Sequence, residues 1–241
     1  LVANPFAENK IAVNNENGFY VGVEMTPSAH WKFHAFGDVW QHPWLRYQVN
    51  SPSQGYEYLA RMTYWQKRKL EIYLQFRTKM VQKNSNLDNG LSNTLRHQVR
   101  LDGSFTVSPV LELRSRAEIM RFDDGDGNLS NGYMVYQDIV FSPKNFPISF
   151  TSRYALFNTD DYNSRIYTYE NDILYAFAIP SYANQGSRFY INLRGRLGKH
   201  LVGELRFAQT FYTNVTTVGS GNDLIDGNTN SDIKVQLKYG F

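Results

Sequence analysis

The 241-residue sequence contains no cysteine, which excludes disulfide staples and thiolate metal sites. It has no run of about 18 apolar residues, so it offers no helical membrane span. Charge of one sign is lacking too. Its 25 basic residues are dispersed among 22 acidic ones, for a net charge of +3 and a pI near 8.9, which gives no nucleic-acid-binding surface. No repeat of solenoid period and no low-complexity segment divides the chain, so residues 1–241 read as one domain. No signal peptide is present and the first residue is Leu1, so the chain reads as processed or as the C-terminal part of something longer.

What is present is aromatic and alternating. There are 17 Tyr and 16 Phe, yet mean hydropathy is −0.47. Period-2 patterns predict strands at Phe19 to Met25, Trp31 to Trp40, Tyr56 to Trp65, Leu70 to Met80, Leu95 to Leu101, Leu111 to Met120, Tyr133 to Phe141, Ile148 to Phe157, Arg188 to Leu197 and Leu201 to Tyr212. A turn is expected around Asp102-Gly103, Val107 and Pro109. The segment Arg165 to Pro180 reads as one long strand or as two turning at Glu170-Asn171-Asp172. Two keeps the alternation of short and long connections in phase. The total is about thirteen strands, and residues near Leu1 to Val13, or chain before them, would supply one more.

The last stretch, Asp232 to Phe241, organises the rest. Ile233, Val235, Leu237, Tyr239 and Phe241 share one face, opposite Lys234, Gln236 and Lys238. In a soluble domain this would be an aggregation-prone edge. In a membrane barrel the apolar face meets lipid and the polar face a wet lumen. A soluble β-sandwich or lipocalin-like barrel alternates as well. Aromatic placement favours the membrane, because Trp31, Trp40, Trp44, Tyr56, Trp65, Tyr133, Tyr212 and Tyr239 sit at strand ends, as interfacial girdles do. The expected fold is therefore all-β, an antiparallel transmembrane β-barrel of about 12–14 strands.

The opposite face carries a basic ladder: Arg77, Lys79, Arg96, Arg100, Arg114, Arg116, Arg153, Arg188, Arg194, Arg196 and Arg206, balanced in part by Glu71, Glu112, Glu118 and Glu204. In an open pore such a lining favours anions, and in a closed barrel it forms a salt-bridged plug. Asp124, Asp126 and Asn128 have the spacing of a calcium loop's first ligands, but Leu129 and Val135 stand where that loop needs Gly and Glu, so a surface turn is expected. His97 interrupts an apolar face and is the one candidate for an outer-wall Ser-His hydrolase. No metal or cofactor is expected.

Three stretches, His42-Pro43-Trp44-Leu45-Arg46, the run from Tyr169 to Pro180, and the run from Val218 to Asn228, resemble the C-terminal barrel region of Bacteroidota outer-membrane proteins that carry helix-hairpin-helix motifs near their N-terminus. Those helical motifs do not occur here. The resemblance implies a barrel fold and a bacterial outer-membrane location. The expected function is passage or binding of small anionic solutes through a basic lumen, or else structural anchoring of a larger outer-membrane complex, and not catalysis. Expected partners are outer-membrane lipid and lipopolysaccharide, the barrel-assembly machinery and other outer-membrane proteins, with no nucleic acid.

Overall fold

Period-2 alternation of apolar and polar side chains suits a sheet whose two faces meet different surroundings. In a computed structural model, which describes residues 15–198, 200–219 and 221–240, one such sheet dominates the chain. Its strands are β1 (Asn17–Ser28), β2 (Trp31–His42), β3 (Ser53–Gln66), β4 (Leu70–Asn84), β5 (Leu91–Ser108), β6 (Leu111–Asp123), β7 (Leu129–Phe141) and β8 (Ile148–Thr159). After the two-residue strands β9 (Ile166–Tyr167) and β10 (Ser181–Tyr182), which pair with each other, come β11 (Gln185–Leu197) and β12 (Leu201–Tyr212). A small ladder of β13 (Thr217–Val218) and β14 (Ile225–Asp226) then precedes β15 (Thr229–Tyr239).

The main sheet holds eleven strands in the order β1 to β8, β11, β12, β15, each antiparallel to its neighbour. Among the described residues β1 and β15 do not pair, so the sheet is not closed. Turns 29–30, 67–69 and 109–110 and the six-residue connection 142–147 join strands at one end, and connections 43–52, 85–90, 124–128, 160–184 and 213–228 gather at the other.

Register fixes the two faces. Arg100 opposes Glu118, Asp138 opposes Arg153 and Arg194 opposes Glu204, so charged positions share one face across strands. Val99 opposes Ile119, Val135 opposes Leu156 and Leu205 opposes Val235 on the other. Burial is the reverse of a soluble fold: Glu118, Asp138, Arg153 and Arg206 are buried, whereas Leu74, Phe76, Leu101, Ile119, Val135 and Leu156 are exposed. A soluble sandwich of two sheets with apolar inner faces is not what this chain adopts.

The sequence reading needs four corrections. Residues 165–180 are neither one strand nor two. They belong to an irregular segment, 160–184, laid across the polar face. Removing two expected strands leaves the alternation of ends unchanged, so parity distinguishes one strand from two but not two from none. β5 runs through Asp102-Gly103 without turning, because Asp102 pairs with Arg116 and Gly103 with Ser115 on β6. Trp40, Trp65 and Tyr212 lie on the polar face rather than in an outer girdle, with Trp40 packed over Gly55, Trp65 opposite Glu71 and Tyr212 edge-on to Phe157. Finally, the sheet has eleven strands, fewer than expected. The strand anticipated near Leu1 to Val13 lies outside the described residues.

Candidate functional site

The site is the polar face of the sheet together with segment 160–184. A buried guanidinium or carboxylate is tolerated only when charge and hydrogen bonds answer it. All fourteen expected lumen residues lie on this face, by the registers above. Within it Arg77 reaches Glu57 at 2.7 Å, Lys79 the same carboxylate at 3.6 Å, Arg100 reaches Glu118 at 2.7 Å, and Arg114 reaches Glu112 at 2.8 Å. Arg116 meets Asp102 at 2.5 Å, and Arg194 meets Glu204 at 3.4 Å. Arg153 grips Asp138 with two parallel bonds of 2.6 and 2.7 Å while its guanidinium lies 3.6 Å from the Tyr136 ring centroid.

Arg96, Arg188 and Arg206 hold segment 160–184. Glu170, 0% exposed, accepts two bonds from Arg188 at 2.6 and 2.9 Å, one from the Tyr182 hydroxyl at 2.7 Å, and one from Arg206. Asp172 receives Lys234 of β15 at 2.7 Å. Backbone groups are matched as well: Arg206 Nε donates to Asn171 O, Arg153 Nη1 to Tyr169 O and Arg96 Nη2 to Asn163 O, and the Leu174 N–H donates to Glu204 Oε2. Side chains from β5, β8, β11, β12 and β15 thus converge on one stretch of about 25 residues, and the sheet wraps it. An apolar cluster of Met120, Met134, Tyr136, Ala155, Phe157, Ile166 and Tyr182 fills the space beneath its two ends. Gly132 permits the approach, because a Cβ there would overlap the Ser164 carbonyl.

Nine of the eleven ladder cations therefore have a carboxylate partner; among the described residues Arg96 and Arg196 do not. The carboxylates Glu57, Asp102, Asp138, Glu170 and Asp172 were absent from the expected set. Asp138 and Glu57 share the parity of the charged face, so alternation could have found them. Glu170 and Asp172 could not be found that way, because no strand period governs their segment.

On the opposite face Ile233, Val235, Leu237 and Tyr239 are all exposed along β15, as the terminal pattern predicted, and Phe241 lies outside the described residues. His97 faces outward and contacts the Thr78 hydroxyl at 2.8 Å and the Phe76 ring. Neither contact is the carboxylate that would orient an imidazole as a general base. Asp124 and Asp126 stitch loops. Asp124 accepts from the Asp126 and Asn128 N–H groups, and Asp126 from Ser85, Ser92 and the Asn86 N–H, which ties connection 124–128 to connection 85–90. The Ser92 hydroxyl, with the Asn86 N–H, holds the Asp126 carboxyl below the usual carboxylate range, and the Asn128 amide does so for Asp124. Among the described residues no cluster of three His, Cys, Asp or Glu could hold a metal ion.

Compared with known proteins, the chain matches no family model and no curated protein.

Proposed function

We propose that this chain is an integral β-barrel of the bacterial outer membrane, not an enzyme, whose interior is occupied by its own segment 160–184 and whose role is structural anchoring within that membrane. One observation carries the reading: the sheet buries its charges and exposes its apolar face. In water that arrangement leaves a broad hydrophobic surface unpaid, whereas in lipid it is the stable one. The nearly complete pairing of the ladder supports a packed lumen, because a cation compensated at 3 Å contributes little field to a passing anion. The expected partners follow from this reading: lipid and lipopolysaccharide at the apolar face, the assembly machinery at the β15 pattern, and other outer-membrane proteins. The resemblance to the Bacteroidota barrels with helix-hairpin-helix motifs is kept here as part of the proposal.

The test is planar-bilayer recording on the purified chain, alongside its partition between buffer and detergent. Retention in detergent with no steady current is the expected result. A soluble monomer in plain buffer would overturn the membrane assignment. A steady anion-selective current, weakened by Arg114→Glu and Arg194→Glu, would overturn anchoring in favour of solute passage. That second reading has its own support, since the polar face of β1 to β4 is not covered by the segment and lines an open cavity of about 520 Å³ with Glu24, Lys32, His34, Arg61 and Glu71.

A further inference from the structure

The long-connection end of the polar face holds a cavity of about 360 Å³ whose charged lining is entirely basic: Arg46, Lys79, Lys83, Arg96 and Arg165. They come from four places. Arg46 lies on connection 43–52, Lys79 and Lys83 on β4, Arg96 on β5 and Arg165 on segment 160–184. Among the described residues no Asp or Glu lines the cavity. Elsewhere on this face cations stand beside carboxylates, but among the described residues none lies within ion-pairing distance of Lys83, Arg96 or Arg165.

Arg96 and Arg165 are nevertheless held in place by neutral acceptors. Arg96 donates to Asn163 O at 2.9 Å and lies over the Phe122 ring. Arg165 donates to Tyr162 O and to the Tyr167 hydroxyl, each at 2.6 Å, and Arg46 donates to Gln82 O at 2.9 Å. Carbonyls and phenols fix direction without cancelling charge. Converging cations repel one another, and a compact polyanion at their centre converts that repulsion into attraction. Lys79, Lys83, Arg96 and Phe122 all lie on the polar face of their strands, so the cavity opens to the wet side rather than to the apolar wall.

We propose that this cavity is a binding site for a small water-soluble phosphate anion carrying two or more charges, such as a diphosphate group. Its volume falls at the lower end of small-molecule sites, which suits a compact anion rather than a polymer. Arginine forks match phosphate oxygens in pairs and lysine adds a point charge. The site rests on the polar face alone and does not depend on the membrane assignment.

The test is calorimetric titration of the full chain, in neutral detergent free of anionic lipid, with inorganic pyrophosphate. Saturable one-site binding that weakens as salt rises is expected, with inorganic phosphate binding less tightly. Lys83→Gln and Arg165→Gln should each loosen it about tenfold, the loss of one charge-assisted contact. Arg196→Gln, at the opposite end of the sheet, should leave it unchanged. The variants' heat-dependent gel mobility reports that they are folded. No saturable binding, or equal affinity in folded Lys83→Gln and Arg165→Gln, would overturn the site. Binding to vesicles containing lipid phosphate that free pyrophosphate does not displace would also overturn it, by making the ligand a headgroup.

Discussion

The same residue types on the same face of one sheet meet two different fates. Across β8 to β12 the charges that meet segment 160–184 are sealed beneath it, and in the Arg206–Glu170 pair the side chains are 1% and 0% exposed. Across β1 to β4 the face stays open, and the Lys32–Glu24 pair, 2.8 Å apart, leaves its side chains 43% and 56% exposed. What separates them is desolvation rather than distance. An exposed pair contributes about 0–1 kcal/mol because water and salt screen it. A buried one is costly to assemble and still more costly to break, since removing one partner strands the other in a dry interior.

That contrast can be broken at its strongest point. Glu170→Gln leaves Arg188 buried against a neutral amide, while Arg206 keeps Asp232 at 2.9 Å, and should destabilise the fold by about 3–5 kcal/mol, read as a lowered temperature of the heat-induced gel-mobility shift. Asp138→Asn, which leaves buried Arg153 one acceptor oxygen in place of two and no countercharge, should fall in the same range. If either behaves like a surface substitution, the segment is not held by its charges. A smaller effect is expected from Gly132→Ala. Its Cβ must push the Ser164 carbonyl away, at about 1–3 kcal/mol, and proteolysis within 160–184 should quicken while the strands stay protected. Glu24→Gln should change stability by less than about 1 kcal/mol, and a larger loss would mean that the β1 side is covered in solution.

The smallest effect concerns pH. Asp126 and Asp124 have folded pKa values below the ordinary carboxylate value, so the loop contacts they make are present above the unfolded pKa and are lost as pH falls through the folded one. Protection against hydrogen exchange in connections 85–90 and 124–128, taken relative to intrinsic exchange at each pH, should therefore be high at neutral pH and fall below about pH 4, with Asp126→Asn lowering it already at neutral pH. Equal protection at both pH values would remove the carboxylates from the account.

Much of the sheet was legible in the sequence because a strand with two unlike faces writes its period into every second residue. Leu201 to Tyr212 was bounded as it stands, and the charged ladder fell on one face throughout. Side-chain direction was equally available for Trp40, which shares parity with Lys32, His34 and Asp38, and for Tyr212, which shares it with Glu204 and Arg206. Attention to their position along the strand obscured it. Segment 160–184 was not legible. Its Tyr and Ile residues imitate a strand, and the side chains that satisfy Glu170 and Asp172 lie 12 to 62 residues away in sequence. The basic cavity was half visible, since Lys79 and Arg96 belonged to the ladder. Arg46, Lys83 and Arg165 join them only through the packing of two connections.

Eleven antiparallel strands carry a consequence of arithmetic. Direction reverses at every step, so β1 and β15 run the same way, and zipping them edge to edge would create a parallel ladder between otherwise alternating neighbours. An all-antiparallel cylinder therefore needs an odd number of additional strands, from whatever source. With one, the edges whose outer backbone amides and carbonyls have no strand partner among the described residues would both be satisfied, and the ring would hold twelve strands.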